Sequence, residues 1–384
     1  MNTNNSDRMV DFRNWLVRLI LASALFTSYD GSSEHHVENI HVTDTSLRYD
    51  SQAGSSKTVS GDITSRELTP GSGQISVDGK IYKDLSSATS AIKAGSVVIF
   101  GSGIYTNGLS INQDAVILRG SEGTHFKGAS VQGKATFVVN GNNVVIESIE
   151  CSEVAVPHKN GACVRQNGRD LTLRYVYFHD SEQGILSAKG SGRLTIENSR
   201  FERLGKIGRA HAVYSNNDRL EIRYSRFLSS KGEGHEIKSR APVTLIESSV
   251  VASLSGKDSR LIDVSNGGAL IVRNSVLEQG VNSSNLELIG FGLEGMKSGH
   301  PQSVTLENNT ILAEQPRGNV LLGLPDDDSS ISVSIINNDI IAESYIYDED
   351  KHNLIDNNKF FTDRASYGLV PFPELPEIEG LDTP

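Results

Sequence analysis

The sequence has few cysteines, which could form stabilising disulfides, and few aromatic residues, which could fill the core of a compact domain. Among its 384 residues there are two cysteines, Cys151 and Cys163, too few for a disulfide framework. Aromatic residues make up 6% of the chain, and Trp15 is the single tryptophan. Glycine, in contrast, occurs 36 times, above the average share of about 7%. Many turn residues and few bulky side chains favour a β-rich architecture over a helical bundle.

The chain also lacks an excess of positive charge. It has 36 Lys and Arg residues against 47 Asp and Glu residues, which gives a formal net charge of −11. Nucleic-acid-binding domains usually carry a strongly basic balance, so we expect no nucleic-acid partner. An acidic ligand would have to meet a local patch of basic side chains rather than a general positive field.

The N-terminal region holds one short apolar run, residues 19–26, which follows Arg8, Arg13 and Arg18. This run is too short to cross a bilayer as a helix, so we do not expect an integral membrane protein. Basic residues before a short apolar run are typical of an export signal, although no clear cleavage site follows. We therefore expect residues 1–27 to form a signal peptide or an N-terminal helix, and the protein to be periplasmic or secreted.

An apolar repeat runs through the middle of the chain. An apolar anchor residue recurs at spacings of 23 to 34 residues, and the residue five positions later is also apolar. The anchors are Ile146, Leu173, Ile196, Ile222, Ile246, Val272, Leu306 and Ile335. The residues five positions later are Cys151, Phe178, Phe201, Phe227, Val251, Leu277, Ile311 and Ile340. Because Cys151 falls in this apolar column, we favour a buried thiol over a disulfide, without excluding the bridge.

This repeat predicts an all-β fold, a parallel β-helix of about eight coils with a short N-terminal capping helix. Equivalent residues of successive coils stack about 4.8 Å apart, so a repeated apolar position becomes an interior column. The residue two positions after each anchor is often asparagine, which tolerates the left-handed backbone of a turn. Leucine-rich repeats would show a fixed leucine pattern that is missing here, and propeller blades are nearer 40 residues long.

The pattern divides the chain into four parts. Residues 28–75 are polar and aperiodic, so we expect a poorly ordered linker. Residues 76–345 carry the β-helix, and the helical spacing of residues 85–92 predicts its cap. Residues 346–384 are expected to form a C-terminal cap and a Pro/Glu-rich tail, either mobile or lying along the last coil.

A second strand of each coil carries the side chains with the most informative chemistry. Aligning residues 184–186, 212–214, 236–238 and 261–263 places an apolar residue at each centre. Since strand side chains alternate, the neighbouring side chains should point outward. The predicted outward columns are Leu186, Tyr214, Lys238 and Asp263, and then Ala188, Asn216, Arg240 and Ser265.

These columns put basic, acidic and phenolic groups on one face, which is what a uronate polysaccharide requires. β-Elimination needs the sugar carboxylate neutralised by a cation and the adjacent proton taken by a base. Candidate catalytic residues are Lys238, Arg240, Tyr214, His211 and His235. Candidate substrate-binding residues are Asn216, Glu236, Asp263 and Asn266.

Structural interpretations of the same residues stay open. Asp263 should keep Lys238 charged, and the two could form an exposed cross-strand pair worth at most about 1 kcal/mol. His211 and His235 could be hydrogen-bonded corner residues rather than catalysts.

Two further motifs are weaker. The segment from His179 to Glu182 is expected to be a solvated turn rather than part of the same face. Residues 326–328 are three aspartates that could bind calcium, but an acidic turn is the better interpretation. We therefore expect no metal and no cofactor.

The sequence resembles the right-handed parallel β-helix proteins of the pectate-lyase-like superfamily over about residues 80 to 345. The opening coil, residues 91–105, matches the usual first coil of that superfamily. Four segments resemble a bacterial subgroup, with a fifth following them: residues 177–186, 211–214, 234–241, 261–268 and 291–295.

The resemblance implies a protein that acts on polysaccharides, either as an enzyme or as a binding protein. The Asp-Pro-His signature of mannuronan epimerases and the closely spaced Asp pairs of pectin hydrolases are absent. We predict an exported protein acting on an acidic, uronate-containing polysaccharide, with a lyase favoured. The alternatives are a non-catalytic binding or exopolysaccharide-assembly protein, and a hydrolase using Glu236 and Asp263. The sugar, the linkage and the oligomeric state stay open.

Overall fold

The computed structural model describes residues 69–297, 299–327, 329–343, 354–378 and 380–381. The predicted signal peptide, and the predicted linker as far as residue 68, lie outside the described residues. No helix in the described part of the chain is long and apolar enough to cross a membrane.

The described residues form 33 short strands and two helices. In chain order the strands are β1 (Ile75–Val77), β2 (Lys80–Tyr82), β3 (Val97–Phe100), β4 (Gly103–Asn107), β5 (Leu109–Ile111), β6 (Ile117–Gly120), β7 (Thr124–Ser130), β8 (Ala135–Val139), β9 (Val144–Glu147), β10 (Glu150–Ser152), β11 (Ala162–Gln166), β12 (Leu171–Arg174), β13 (Tyr177–His179), β14 (Gln183–Ser187), β15 (Arg193–Glu197), β16 (Arg200–Glu202) and β17 (Val213–Ser215). They continue as β18 (Arg219–Arg223), β19 (Arg226–Leu228), β20 (Ile237–Ser239), β21 (Val243–Glu247), β22 (Val250–Ala252), β23 (Ile262–Val264), β24 (Ala269–Arg273), β25 (Val276–Gln279), β26 (Glu287–Phe291), β27 (Ser303–Glu307), β28 (Thr310–Ala313), β29 (Val320–Gly323), β30 (Ser332–Ile336), β31 (Asp339–Ala342), β32 (Leu354–Asp356) and β33 (Lys359–Phe361). The helices are α1 (Leu85–Ala91) and α2 (Arg364–Tyr367).

The strands stack into three sheets that run the length of a parallel β-helix. Sheet A has 13 strands in the order β2-β1-β3-β6-β9-β12-β15-β18-β21-β24-β27-β30-β32. Sheet B has 11 strands in the order β33-β31-β28-β25-β22-β19-β16-β13-β10-β7-β4, and sheet C has nine in the order β29-β26-β23-β20-β17-β14-β11-β8-β5. Apart from the antiparallel β1–β2 and β1–β3 pairs, every named strand pair is parallel. The predicted fold class is therefore confirmed.

The strand registers reproduce the columns predicted from the repeat. In sheet A the eight anchors are Cα partners from coil to coil, starting with Ile146 beside Leu173 and ending with Leu306 beside Ile335. In sheet B the residues five positions later are partners in the same way. At the turn between the two sheets, the residue two after each anchor has φ between 47° and 58°, whether it is asparagine, serine or tyrosine.

At the residue three positions after most of the anchors, polar side chains form a ladder of hydrogen bonds between successive coils. This ladder was not predicted from the sequence. Each side chain accepts a hydrogen bond from the backbone N–H one coil earlier, at 2.9 to 3.2 Å. Its members are Ser199, Ser225, Ser249, Ser275, Asn309, Asn338 and Asn358. The ladder satisfies backbone donors that would otherwise be buried without partners.

The N-terminal end of the stack is closed by α1 and β1. The Asp84 side chain caps α1 by accepting from the Ser87 N–H at 2.8 Å, and Ala88 and Ile92 pack on the core. Strand β1 pairs antiparallel with β3 and so occupies the open edge of the first coil. Strand β2 pairs in turn with β1, so the outermost strand of sheet A has only three residues, and a short edge strand limits pairing with another chain.

The two cysteines form a disulfide inside the solenoid. Cys151 of β10 and Cys163 of β11 are both fully buried, and their sulfurs are bonded. Our preference for a buried free thiol was wrong, because the chain returns to the interior after a short loop and brings the second cysteine beside the first.

The C-terminal segment lies along the outer face of sheet B. Partly buried apolar side chains at Leu369, Leu375, Ile378 and Leu381 pack against outward side chains of that sheet. The covered strip consists of Leu228, Val250, Ala252, Val276, Leu312 and Ile341. The segment reaches back to β19, where an Arg226 Nη donates to the carbonyl of Leu381 at 3.3 Å. It therefore covers several coils rather than only the last one.

Candidate functional site

A cluster of charged side chains lies on the outer face of sheet C, where the outward columns were predicted. The register pairs Tyr214 of β17 with Lys238 of β20, and Lys238 with Asp263 of β23. Arg240 and Asn266 follow the ends of β20 and β23 and join the same cluster. We call these five residues, together with Glu294, the sheet C cluster.

Lys238 is the central cation of the sheet C cluster. Its Nζ donates to Asp263 Oδ2 at 2.6 Å and to Glu294 Oε1 at 2.7 Å, and the residue is only 7% exposed. An ammonium held between two carboxylates is poorly placed to act as a base. The expectation that Lys238 and Asp263 form an exposed pair was also wrong, because both residues are buried and the loop residue Glu294 contacts Lys238 from outside.

Asp263 is an ionised carboxylate in spite of its burial. Burial raises the pKa of a carboxyl group, but the charge of the nearby Lys238 and the hydrogen bonds from Lys238 and Ser265 outweigh it and leave the pKa of Asp263 below its ordinary value. The hydroxyl of Ser265 also donates to Oδ2 at 2.6 Å. Asp263 therefore holds Lys238 in place and is not free to act as a catalytic acid.

Arg240 connects the remaining members of the cluster. Its Nε donates to the Tyr214 hydroxyl at 3.0 Å, and one Nη donates to Asn266 Oδ1 at 2.6 Å. Its other Nη donates to Glu294 Oε2. The Arg240 guanidinium and the Lys238 ammonium also lie 5.7 and 5.9 Å from the centre of the Tyr214 ring. Both cations therefore form cation–π contacts with the Tyr214 ring.

Glu294 belongs to the cluster but was not predicted from the sequence as a site residue. It lies in the loop after β26, and its side chain is 45% exposed. Lys238 holds one oxygen of its carboxylate and Arg240 holds the other. The only signal for it was its place in the segment 291–295, since its contacts depend on a loop that the repeat does not specify.

His211 and His235 form a stacked pair at the corner before β17 and β20. Their ring centres are 4.9 Å apart with planes 19° from parallel. His211 Nδ1 accepts from the His235 N–H at 3.0 Å, and His235 Nδ1 accepts from the Arg260 N–H at 3.1 Å. Burial lowers the pKa of His235 to about 4 and also lowers the pKa of His211. Both rings are therefore neutral corner residues, the structural alternative kept open above.

Glu236 does not lie on the predicted face. Strand β20 begins one residue later, so the alternation of side chains does not extend to Glu236, whose equivalents Ala212 and Leu261 are core residues. Its carboxylate accepts from the Ser230 N–H at 2.5 Å and from the Ser230 hydroxyl at 2.7 Å, without solvent exposure. Burial raises the pKa of Glu236. A hydrolytic pair with Asp263 has no support in this placement.

The other candidate residues lie at the margins of the cluster or elsewhere. Asn216 donates through its N–H and its Nδ2 to Ser187 at 2.7 and 2.9 Å, so both groups hold the neighbouring coil. The segment around His179 belongs to sheet B, so it is not part of the face on sheet C. Of the three aspartates at 326–328, Asp328 lies outside the described residues, and Asp327 accepts from the Ser329 hydroxyl at 2.9 Å.

The sheet C cluster can bind a carboxylate, and this is the chemistry that its geometry offers most directly. Two cations approach the two oxygens of one carboxylate, which is at present Glu294 on an exposed loop. Asp263, in contrast, is buried and stays with the cluster. A carboxylate from a ligand could replace Glu294 without leaving any buried charge unpaired.

One comparison with known proteins agrees with the fold. A family model described as "Right handed beta helix region" matches residues 90–250. A solved structure of a pectin methylesterase mutant in complex with a hexasaccharide is 14% identical in sequence. Its alignment covers 78% of this chain and 96% of the methylesterase, with a TM-score of 0.39. No curated protein sequence matches this chain.

Proposed function

We propose that this chain, a right-handed β-helix repeat protein, binds an acidic, uronate-containing polysaccharide across the outer face of sheet C. The proposal rests on the hydrogen bonds that Lys238 and Arg240 donate to the two oxygens of the Glu294 carboxylate. A uronate carboxylate has the same charge and shape. Arg240 supplies one N–H to the carboxylate while its other N–H groups hold Tyr214 and Asn266, which a second ammonium could not do in the same planar geometry.

Tyr214 adds an apolar surface to this carboxylate site. Its ring lies beneath both cations, and its hydroxyl already accepts from Arg240. Sugar rings pack against aromatic side chains through their C–H faces while their charged groups meet the cations. The long face of the solenoid extends the surface along the stack, which suits a polymer rather than a single sugar.

The test is direct binding of purified uronate polymers and matched neutral polymers, measured by titration calorimetry or affinity electrophoresis. We expect binding to the uronate polymers alone, weakened at least about tenfold by Arg240→Lys because one ammonium cannot replace the three separate donors of the guanidinium. Arg200→Ala is the matched control, since Arg200 lies 5.4 Å from the Tyr177 ring on sheet B in a similar arginine–tyrosine contact. Equal binding of neutral polymers, or an equal loss in the control, would contradict the proposal.

β-Elimination is the second candidate, and one contact favours it. Arg240 donates to the Tyr214 oxygen, and Tyr214, unlike Lys238, is not held between two carboxylates, so Tyr214 is a better candidate for the base than Lys238. Incubation with the same polymers distinguishes the possibilities. An ultraviolet-absorbing unsaturated product indicates a lyase, new reducing ends without it indicate a hydrolase, and binding alone indicates a non-catalytic protein.

Export of the chain is part of the same proposal, since such polymers lie outside the cytoplasm. It rests on the basic and apolar pattern of residues 8–26. Residues 1–40 fused to a reporter that is active only outside the cytoplasm should give activity. A well-expressed but inactive fusion would contradict export.

A further inference from the structure

A second cluster of side chains lies on the outer face of sheet B, in the coils before the C-terminal segment arrives. Strands β7, β10 and β13 place His125, Glu150, Ser152 and His179 side by side. One ligand atom from each of His125, Glu150 and His179 lies within 4.8 Å of the others. The three side chains are 13% to 36% exposed, so solvent reaches them through Glu150.

Hydrogen bonds fix which nitrogen of His179 can act as a ligand. Its Nδ1 lies 2.7 Å from Asp180 Oδ2, and Arg203 donates to both oxygens of that carboxylate at 2.8 and 2.9 Å. Since both oxygens of Asp180 already accept from Arg203, Asp180 is the acceptor and His179 Nδ1 is the donor in their contact. The lone pair of a neutral His179 therefore lies on Nε2.

That lone pair faces another acceptor. His179 Nε2 is 3.0 Å from Glu150 Oε1, and an ionised carboxylate has no proton to donate. Two acceptors at this distance need a cation between them. A metal ion bound to both atoms would be that cation.

His125 approaches the same oxygen from the other side. Its Nδ1 is 3.6 Å from Glu150 Oε1, and its Nε2 is 2.7 Å from the Ser152 hydroxyl. When Nε2 donates to Ser152, the Nδ1 lone pair also points toward Glu150. Both imidazoles then have their outer nitrogen engaged by a supporting group, as metal-binding histidines usually do.

We propose that His125, Glu150 and His179 form a binding site for a divalent transition metal of the zinc class. Two imidazoles and one carboxylate are a ligand set typical of zinc, and tetrahedral geometry separates neighbouring ligand atoms by roughly 3.3 Å. The observed separations of 3.0 and 3.6 Å lie on either side of that value. Three protein ligands leave one coordination position for water or for an oxygen of a ligand. Tyr177, whose ring stacks 4.2 Å from His179, forms one side of the site.

The test is calorimetric titration of the chelator-treated full chain with zinc chloride, together with metal analysis after dialysis. We expect one zinc ion per chain and a rise in melting temperature on adding zinc. His125→Gln and His179→Gln should each weaken binding at least about tenfold, and Asp180→Asn about 10- to 100-fold through the orientation of His179. His158→Gln, at an exposed turn residue, is the matched control and should bind as the unaltered chain does.

Several outcomes would overturn the proposal. They are the absence of stoichiometric binding, an equal loss in the His158→Gln control, and unchanged binding in the double His125→Gln, His179→Gln variant, which would assign the zinc to other histidines. Melting each variant without metal separates misfolding from lost ligation, and Asp180→Asn leaves all three ligands in place. The site is on sheet B, so its failure would not affect the proposed function of sheet C.

Discussion

The outer faces of sheets B and C are built on the same coils but are used in opposite ways. On sheet C, outward positions carry a charged network that is open at Glu294. On the later coils of sheet B, the equivalent outward positions are apolar and lie under the C-terminal segment. Because the interior columns are alike throughout, the core does not cause the difference. In this solenoid, interior side chains specify the coil and outward side chains specify what each face contacts.

The difference between the two faces is tested most strongly by introducing the same negative charge on each of them. Leu312→Asp should lower the free energy of unfolding by about 4 to 6 kcal/mol, because Leu312 is fully buried beneath the C-terminal segment. Leu186→Asp on the outer face of sheet C is the matched control and should cost less than about 1 kcal/mol. Denaturant unfolding measures both, and similar losses would show that the two faces do not differ as described.

A second pair of variants tests whether the charged groups on sheet C are buried or exposed. Lys238→Met should destabilise the fold by about 3 to 5 kcal/mol, because it removes the nearer cation from the buried Asp263 and leaves only Arg260, whose Nη lies 3.8 Å away. Arg240→Met should cost much less, since its partner Glu294 can turn to solvent. If chemical denaturation gives equal losses for the two variants, Lys238 is not the buried centre of the cluster.

The two faces should also respond to pH in opposite directions. Burial raises the pKa of Glu278 in β25 to about 8, and in the described structure its Oε1 has no hydrogen-bond partner. The folded state therefore holds this proton more tightly than the unfolded chain, so stability should fall between pH 4.5 and 8. His235 has its pKa lowered to about 4, so its contribution should fall as pH drops from 6.5 to 4.

Each of these two losses of stability should amount to about 3 to 5 kcal/mol. Melting curves of Glu278→Gln against the unaltered chain should show the high-pH loss diminished and the low-pH loss retained. A high-pH loss of the same size in the variant would assign it to other groups.

The smallest effect on stability, and the most informative for function, is expected at Glu294. Glu294→Gln should change the free energy of unfolding by under about 1 kcal/mol, because its side chain is 45% exposed. It should raise affinity for a uronate polymer, since the competing carboxylate is lost. Glu287→Gln, which removes a partner of Arg260 on the same face, is the control and should leave affinity unchanged. Weaker binding by Glu294→Gln would show that Glu294 contacts the ligand directly.

The sequence predicted the interior of this fold better than its surface, for a physical reason. The anchor positions and the positions five residues later recur once per coil and are apolar in every coil, so Ile146 and Phe178 mark their columns. The predicted outward column of Tyr214, Lys238 and Asp263 was found as well, since strand alternation fixes it. Glu236 was misplaced because the strand begins after it, and Glu294 was missed because its loop has no period. The ladder containing Ser225 escaped notice because serine is equally common in exposed turns.

The path of the C-terminal segment has a consequence for the time course of folding. The carbonyl of Leu381 accepts from Arg226, 155 residues earlier in the chain. At ordinary rates of synthesis, roughly 10 to 30 seconds separate the emergence of these two residues from the ribosome. The early coils can close during that interval, but the apolar strip from Leu228 to Ile341 stays bare until the segment arrives. A nascent chain therefore exposes an apolar surface that is buried in the folded protein. We expect chaperones to bind mainly at that surface.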